Sequence, residues 1–274
     1  MTDKRGTHDY VEDFRNAEVL VYINGKFLFL EQHLERLFWG ASQIDMDIGK
    51  TMEEITSILY ETVKFNKMES GVHVRLIITR GVKSTPYQDP SFTISEPTIV
   101  VIPEYKVPSL ETQLNGIKLV SVDIIRGSTN IQDHRINSLS KFNCIQACID
   151  AKRKGGDEGL MLDPHGYVST CNSTHFFMVT DNAVWTSTGE YCLKGVTRQN
   201  IIDICKAHSI PLYERNFTLA DVYDADEAFV TGTFGGVVPV YEVDDHELSV
   251  LQTGSVVKVL QSHYNELVEL VSLS

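Results

Sequence analysis

The tightest constraint on the fold lies between residues 159 and 186. Four short β-rich runs, 159–162, 167–169, 176–179 and 184–186, follow one another there, punctuated by Pro164-His165-Gly166 and by Asp181-Asn182. Glycine admits positive φ, proline fixes φ, and Asp and Asn tolerate the left-handed region, so both punctuation marks predict turns between strands. Helical patterns flank this series. Residues 140–154 place Cys144, Ile145, Cys148 and Ile149 on one face, and a second helix is expected from near Val196 to His208.

Upstream, residues 17–30 read as two strands around Asn24-Gly25, a strong hairpin turn pair. Residues 31–44 have helical spacing, with Leu34, Leu37, Phe38 and Ala41 on one side. Thr51 with Glu54 forms a capping box for a helix running to about Asn66. Residues 72–79 and 98–101 are β-rich, and the polar stretch 103–113, with two prolines, reads as a linker. Further strands are expected at 117–124, 211–214 and 227–231, a helical turn at 219–223, and a closing amphipathic helix at 254–270. The organisation expected is a small N-terminal domain over 1–105, a linker over 106–115 and a larger domain over 116–274.

A formal net charge of −13 argues against a general nucleic-acid binder, which needs a basic surface. It does not oppose a small anionic ligand held locally. Residues 1–13 are polar with no apolar run, which argues against a secretory signal, and no segment approaches a membrane span. The five cysteines include no CxxC pair and no neighbouring ligand set, so they are expected to pack in the interior, with no metal site. A reducing, cytoplasmic setting follows as the default.

Two segments join glycine to hydroxyl side chains: Leu193-Lys194-Gly195-Val196-Thr197-Arg198 and Thr231-Gly232-Thr233-Phe234-Gly235-Gly236. A helix N-terminus offers unpaired N–H groups and partial positive charge, glycine permits close approach, and threonine adds a donor. Together the two segments could form a two-sided cup for a phosphate. Taken singly, each could equally be a helix cap or a loop.

In order and spacing these pieces resemble the class IV aminotransferases, fold type IV enzymes that use pyridoxal 5′-phosphate. The resemblance spans about residues 17–260. It rests on His33-Leu34-Glu35-Arg36-Leu37, on 157–163 with Gly166-Tyr167-Val168, on Gly195-Val196-Thr197-Arg198, on 226–230 with Thr231-Gly232-Thr233, and on Pro239-Val240 with the Asp244-Asp245 turn. It implies an α/β (α+β, two-domain) chain with the D-amino-acid aminotransferase-like fold: a small α/β domain and a larger β-barrel-like domain with helices. It also implies pyridoxal phosphate as cofactor, an amino acid and a 2-oxo acid as substrates, branched-chain or D-amino acids among them, and a homodimer. Arg36, Gly195, Val196, Thr197, Thr231, Gly232 and Thr233 would surround the phosphate, and Thr170 would face the pyridine nitrogen. Arg80, then Arg75, would take the substrate carboxylate; five residues apart on one strand, they should point to opposite sides.

The chain departs from that pattern in ways that bear on chemistry. Asn137 stands at the lysine position, and asparagine cannot hold the cofactor covalently. Lys141 is the nearest lysine; if the turn is already helical, 137 and 141 share a face and Lys141 reaches the same pocket. Thr170 replaces a glutamate and His175 an asparagine. A neutral hydroxyl makes the ring a weaker electron sink. Residues 11–18 lack the family's glycine- and aspartate-rich segment. Two other readings follow: a homologue that keeps the phosphate cup without catalysis, and an enzyme like aminodeoxychorismate lyase.

Overall fold

A computed structural model of the protein describes residues 19–250 and 252–273. The expectations for residues 1–18 lie outside them. The described chain forms two compact units, Val19–Val107, joined by the last residues from Val271, and Pro108–Leu270.

The first unit is built from β1 (Leu20–Ile23), β2 (Lys26–Phe27), α1 (Leu30–Ser42), α2 (Met52–Phe65), β3 (Val72–Thr79) and β4 (Thr98–Tyr105). Its antiparallel sheet has the order β2-β1-β3-β4. Asn24 and Gly25 both have positive φ, 51° and 85°, as a two-residue hairpin of matching twist requires. At α2 both arms of the capping box form: Glu54 N donates to Thr51 Oγ1 at 3.2 Å and Thr51 N to Glu54 Oε2 at 2.8 Å. Leu34 and Ala41 of α1 and Ile55, Leu59 and Val63 of α2 close over Leu20, Val72 and Val74 of the sheet. β4 runs four residues beyond the expected strand, through Pro103. As the edge strand it tolerates a residue with no N–H to donate. The stretch read as a linker is therefore partly regular: its start is strand, and α3 (Leu110–Asn115) follows, capped by the Ser109 hydroxyl.

The second unit continues with β5 (Ile117–Ser121), α4 (Phe142–Arg153), β6 (Glu158–Leu162), β7 (Val168–Cys171), β8 (His175–Thr180), β9 (Ala183–Thr186), α5 (Val196–Ala207), β10 (Leu212–Glu214), α6 (Leu219–Tyr223), β11 (Glu227–Gly232), β12 (Gly236–Val243), β13 (His246–Glu247) and α7 (Val256–Leu273). The sheet order is β10-β9-β8-β11-β12-β5-β6-β7, with β13 on β12. β5 and β6 are parallel and are joined through α4, since parallel neighbours need a crossover. β7 ends this order while β8 stands third, yet only residues 172–174 connect them. Three residues span too little to cross a flat sheet, so the sheet curls back on itself.

α4 corrects the expected face. Ala147 and Ala151 are buried against Val120, Val122 and Met161 and Cys144 is buried as well, while Ile145 and Ile149 are exposed. Small side chains let the helix approach closely: a Cβ on Gly159 would meet the Ala147 carbonyl oxygen at 3.1 Å. The helix begins at Phe142 rather than at residue 140, and β5 stops three residues short of the expected strand. β12, with five consecutive buried residues at 236–240, was not expected as a strand; Pro239 masks it, because proline argues against a central position.

Candidate functional site

Three elements meet where β11 ends. Thr231 on β11 pairs with His175 on β8. The His175 ring lies against Gly195, the residue preceding α5: a Cβ on that glycine would stand 2.3 Å from His175 Cε1 and 2.7 Å from Nδ1. His175 Nε2 donates to the Leu193 carbonyl at 2.7 Å, which places a proton on Nε2. Gly195-Val196-Thr197 and Thr231-Gly232 are thus brought to one place through His175, a role the sequence reading did not give it.

The donors there suit an anion. Gly195 supplies no side-chain cap, so the first-turn amides of α5 keep their N–H groups for a partner. Thr231 is fully buried, and its Oγ1 has no hydrogen-bond partner. Buried hydroxyls are rarely left so, and a bound ion or a catalytic role is among the reasons for the exceptions. Thr197 is buried in hydrogen-bond contact with Tyr264, whose phenol burial pushes up to about 12. Gly232 faces Gly236 across the β11–β12 turn, and Thr233 is half-buried within it. Arg198 turns away, donating to the Ser187 carbonyl at 2.7 Å and to Glu214 at 3.0 Å.

Beside this lies a small cleft open to solvent, whose wall includes Arg126, His134, Lys141, Thr170, His175 and Leu193. Lys141 is the cap residue of α4, and residues 137–141 are not helical. Its Nζ nevertheless donates to Asn137 Oδ1 at 3.2 Å. Asn137 is exposed and does not line the cleft; Lys141 does. Thr170, 1% exposed, donates its hydroxyl to the Thr174 carbonyl at 2.8 Å. Its oxygen can therefore only accept from whatever else approaches. Gly127 N donates to His134 Nε2 at 3.1 Å, so the His134 proton sits on Nδ1 and the ring is neutral. Burial, then the charges of Arg126 and Lys141, hold its pKa down to about 4.

Of the residues expected around a ligand, Arg36, Arg75 and Arg80 belong to the first unit. Arg36 lies on α1, half-buried, and its charge adds to burial in lowering the pKa of His33 to about 3. Arg75 is exposed in β3. Arg80 follows β3 and donates from Nη1 to the Asp45 carbonyl at 2.8 Å and from Nη2 to that of Ile44, bracing the turn after α1. Arg126 and His134 were missed. Arg126-Gly127 repeats the arginine–glycine signal that singled out Arg80-Gly81, and could have been found by it. Among the described residues no group of three or more His, Cys, Asp or Glu is placed to hold a metal, and no helix is long and apolar enough to cross a membrane.

The family model described as Amino-transferase class IV matches residues 17–243. Branched-chain-amino-acid aminotransferase-like protein 1 of Arabidopsis thaliana is 34% identical over 252 residues, 92% of this chain and 45% of that protein. The chain thus spans less than half the length of that plant relative. A branched-chain-amino-acid aminotransferase of Pseudomonas aeruginosa is 31% identical over 243 residues, 87% of this chain and 78% of that protein. Among solved structures, the branched-chain aminotransferase of Thermoproteus uzoniensis with norvaline superposes with a TM-score of 0.80 at 26% identity, covering 93% of this chain and 84% of that one.

Proposed function

The chain belongs to the class IV aminotransferase family, and from that premise we propose that it is a pyridoxal-phosphate-dependent aminotransferase with Lys141 as the amine that holds the cofactor. The observation that carries the reading is the position of Lys141 on the wall shared with Thr170, His175 and Leu193, directly before the Gly195 loop. The residues fit the cofactor. The orphaned Thr231 hydroxyl and the uncapped start of α5 suit its phosphate, and the cleft offers an amine and a hydrogen-bond acceptor to the remainder.

Pyridoxal phosphate, when bound, supplies the electron-withdrawing ring through which an amino group passes from an amino acid to a 2-oxo acid. The protein's part is positioning and proton handling. The amides of Val196 and Thr197, with Thr231 and Thr233, bind the phosphate; Gly195 and Gly232 let the main chain come close. Arg36, the arginine of the HxxRL match, is the further phosphate ligand that the family resemblance suggests. Asn137 orients the Lys141 amine, which receives and returns the substrate proton. Thr170 would face the ring nitrogen and, having no charge and its hydroxyl proton committed to the Thr174 carbonyl, would not hold a proton there. Arg80 and Arg75 are the candidates for the substrate carboxylate, with the terminal nitrogens of Arg80 already on two main-chain carbonyls. A cytoplasmic homodimer is the assembly the family resemblance suggests.

The neutral Thr170 and the displacement of the amine from position 137 favour one other reading, a homologue that binds the cofactor without turning it over. A lyase reaction demands a stronger electron sink than Thr170 supports. Borohydride reduction of the protein with pyridoxal phosphate, followed by peptide mass mapping, separates the first two. A pyridoxyl group on Lys141, absent from Lys141→Ala, supports the enzyme. Its absence from the native protein removes it.

A further inference from the structure

We propose that the Arg126 end of the cleft is a site for one compact monoanion of the carboxylate class. Arg126 is anchored to β6, its main-chain N donating to the Leu162 carbonyl at 2.8 Å, and its side chain is buried at 8% exposure. The guanidinium makes little of its five donors. Nη1 lies 3.2 Å from Cys144 Sγ, Nη2 lies 3.4 Å from the Cys171 carbonyl, and Nε is buried with no hydrogen-bond partner. A buried guanidinium is ordinarily matched to a carboxylate, because removing the charge from water is costly. Here, among the described residues, none of those lining the cleft is Asp or Glu.

The neighbouring acids are already engaged. Glu158 accepts from the main-chain N and the hydroxyl of both Ser173 and Thr174. Asp133 is held in a two-pronged contact by Arg135. Lys141 contributes a second positive side chain to the cleft wall, and His134 stays neutral, its pKa lowered by burial and by Arg126 and Lys141 against the opposing charge of Asp133. Arg126, buried and under-bonded, therefore shares the cleft wall with Lys141 and, among the described residues, with no carboxylate lining it. The partner that suits the under-bonded guanidinium is a small anion: the carboxylate of a ligand in the cleft, or a free small acid. This inference does not rest on the cofactor reading and survives a negative borohydride result.

The test uses the full chain at constant ionic strength, with and without pyridoxal phosphate, and follows the thermal midpoint as sodium formate replaces sodium gluconate. Ligands that bind only the folded state raise the midpoint saturably. The native protein is expected to show a saturable rise. Arg126→Gln is expected to weaken formate binding about tenfold or more, a loss of about 1.4 kcal/mol or more. Thr170→Glu sets a carboxylate one residue from the Cys171 carbonyl that Nη2 approaches. It is expected to raise the midpoint without formate and to abolish the response, a gain that damage to the fold could not mimic. A 2-oxo acid that competes with formate assigns the site to a ligand's carboxylate, and additive effects assign it to a free anion. The proposal is overturned if the native protein gives no saturable response, or if Thr170→Glu responds as the native protein does.

Discussion

The Lys141 amine donates to Asn137 Oδ1 at 3.2 Å, so a side chain rooted four residues downstream ends beside the position where the family pattern puts its lysine. The cause is not helical register, since α4 starts only at Phe142. The irregular chain before the helix bends back far enough for a four-carbon stem to bridge the gap. Asn137→Ala is therefore expected to leave the borohydride adduct on Lys141 while weakening cofactor retention by a few-fold, about the 0.5–1.5 kcal/mol of one hydrogen bond. Peptide mapping and dialysis against cofactor-free buffer measure both. An adduct that disappears with Asn137 would falsify the assignment.

Gly195 is expected to tolerate no side chain. The Cβ of Gly195→Ala would stand 2.3 Å from His175 Cε1, well inside contact distance. Overpacking of this kind costs about 1–3 kcal/mol. Gly195→Ala combined with His175→Ala should recover part of that loss, because removing the ring removes the clash. Denaturant midpoints of the two single variants and the double variant decide it; simple additivity would show that the two residues do not meet.

Thr170→Val keeps the shape and deletes the donor. The Thr174 carbonyl then loses its 2.8 Å partner but keeps Cys171 N at 3.0 Å, at a cost of about 0.5–1.5 kcal/mol. Thr170→Ser keeps the hydroxyl and should lose markedly less. Urea titration of both variants tests the contrast, and equal losses would locate the effect in packing instead.

Acid should destabilise the fold through its buried histidines. His33 is 7% exposed, and its Nε2 has no hydrogen-bond partner; burial and Arg36 lower its pKa from 6.5 to about 3. The unfolded chain therefore takes up the proton first. Stability from this group is intact above about pH 6.5 and falls as pH drops toward 3, by at most about 1.4 kcal/mol per unit. His134, lowered to about 4, acts in the same direction. Comparing denaturant midpoints at pH 7 and pH 5 in native and His33→Leu proteins should show a shallower decline in the variant.

Arg36→Ala is expected to weaken pyridoxal phosphate binding roughly ten- to a hundredfold, the worth of a hydrogen bond to a charged group. Fluorescence titration of the cofactor measures it. An unchanged affinity would leave the phosphate to the α5 amides and the threonines.

Features set by neighbours in sequence were legible from residue types alone. Asn24-Gly25 and Asp181-Asn182 adopt positive φ because short polar residues and glycine admit it wherever they stand, and the Thr51–Glu54 box closes across one helical turn. The glycine–threonine segments also identified themselves, since their chemistry lies in backbone exposure. β12 and the inward face of α4 stayed hidden: Pro239 reads locally as a strand breaker, and Ile145 and Ile149 read locally as core.

By itself the sequence determined the family, the turns and caps, and the stock of donors able to grip a phosphate, because each follows from residue type and short spacing. Only the tertiary structure decided that His175 locks Gly195 to Thr231, that Lys141 ends at Asn137, and that Arg126 is buried with its Nε unpartnered among the described residues. These depend on which distant segments the curled sheet brings within a few ångströms, and no local pattern encodes the partner a side chain fails to meet.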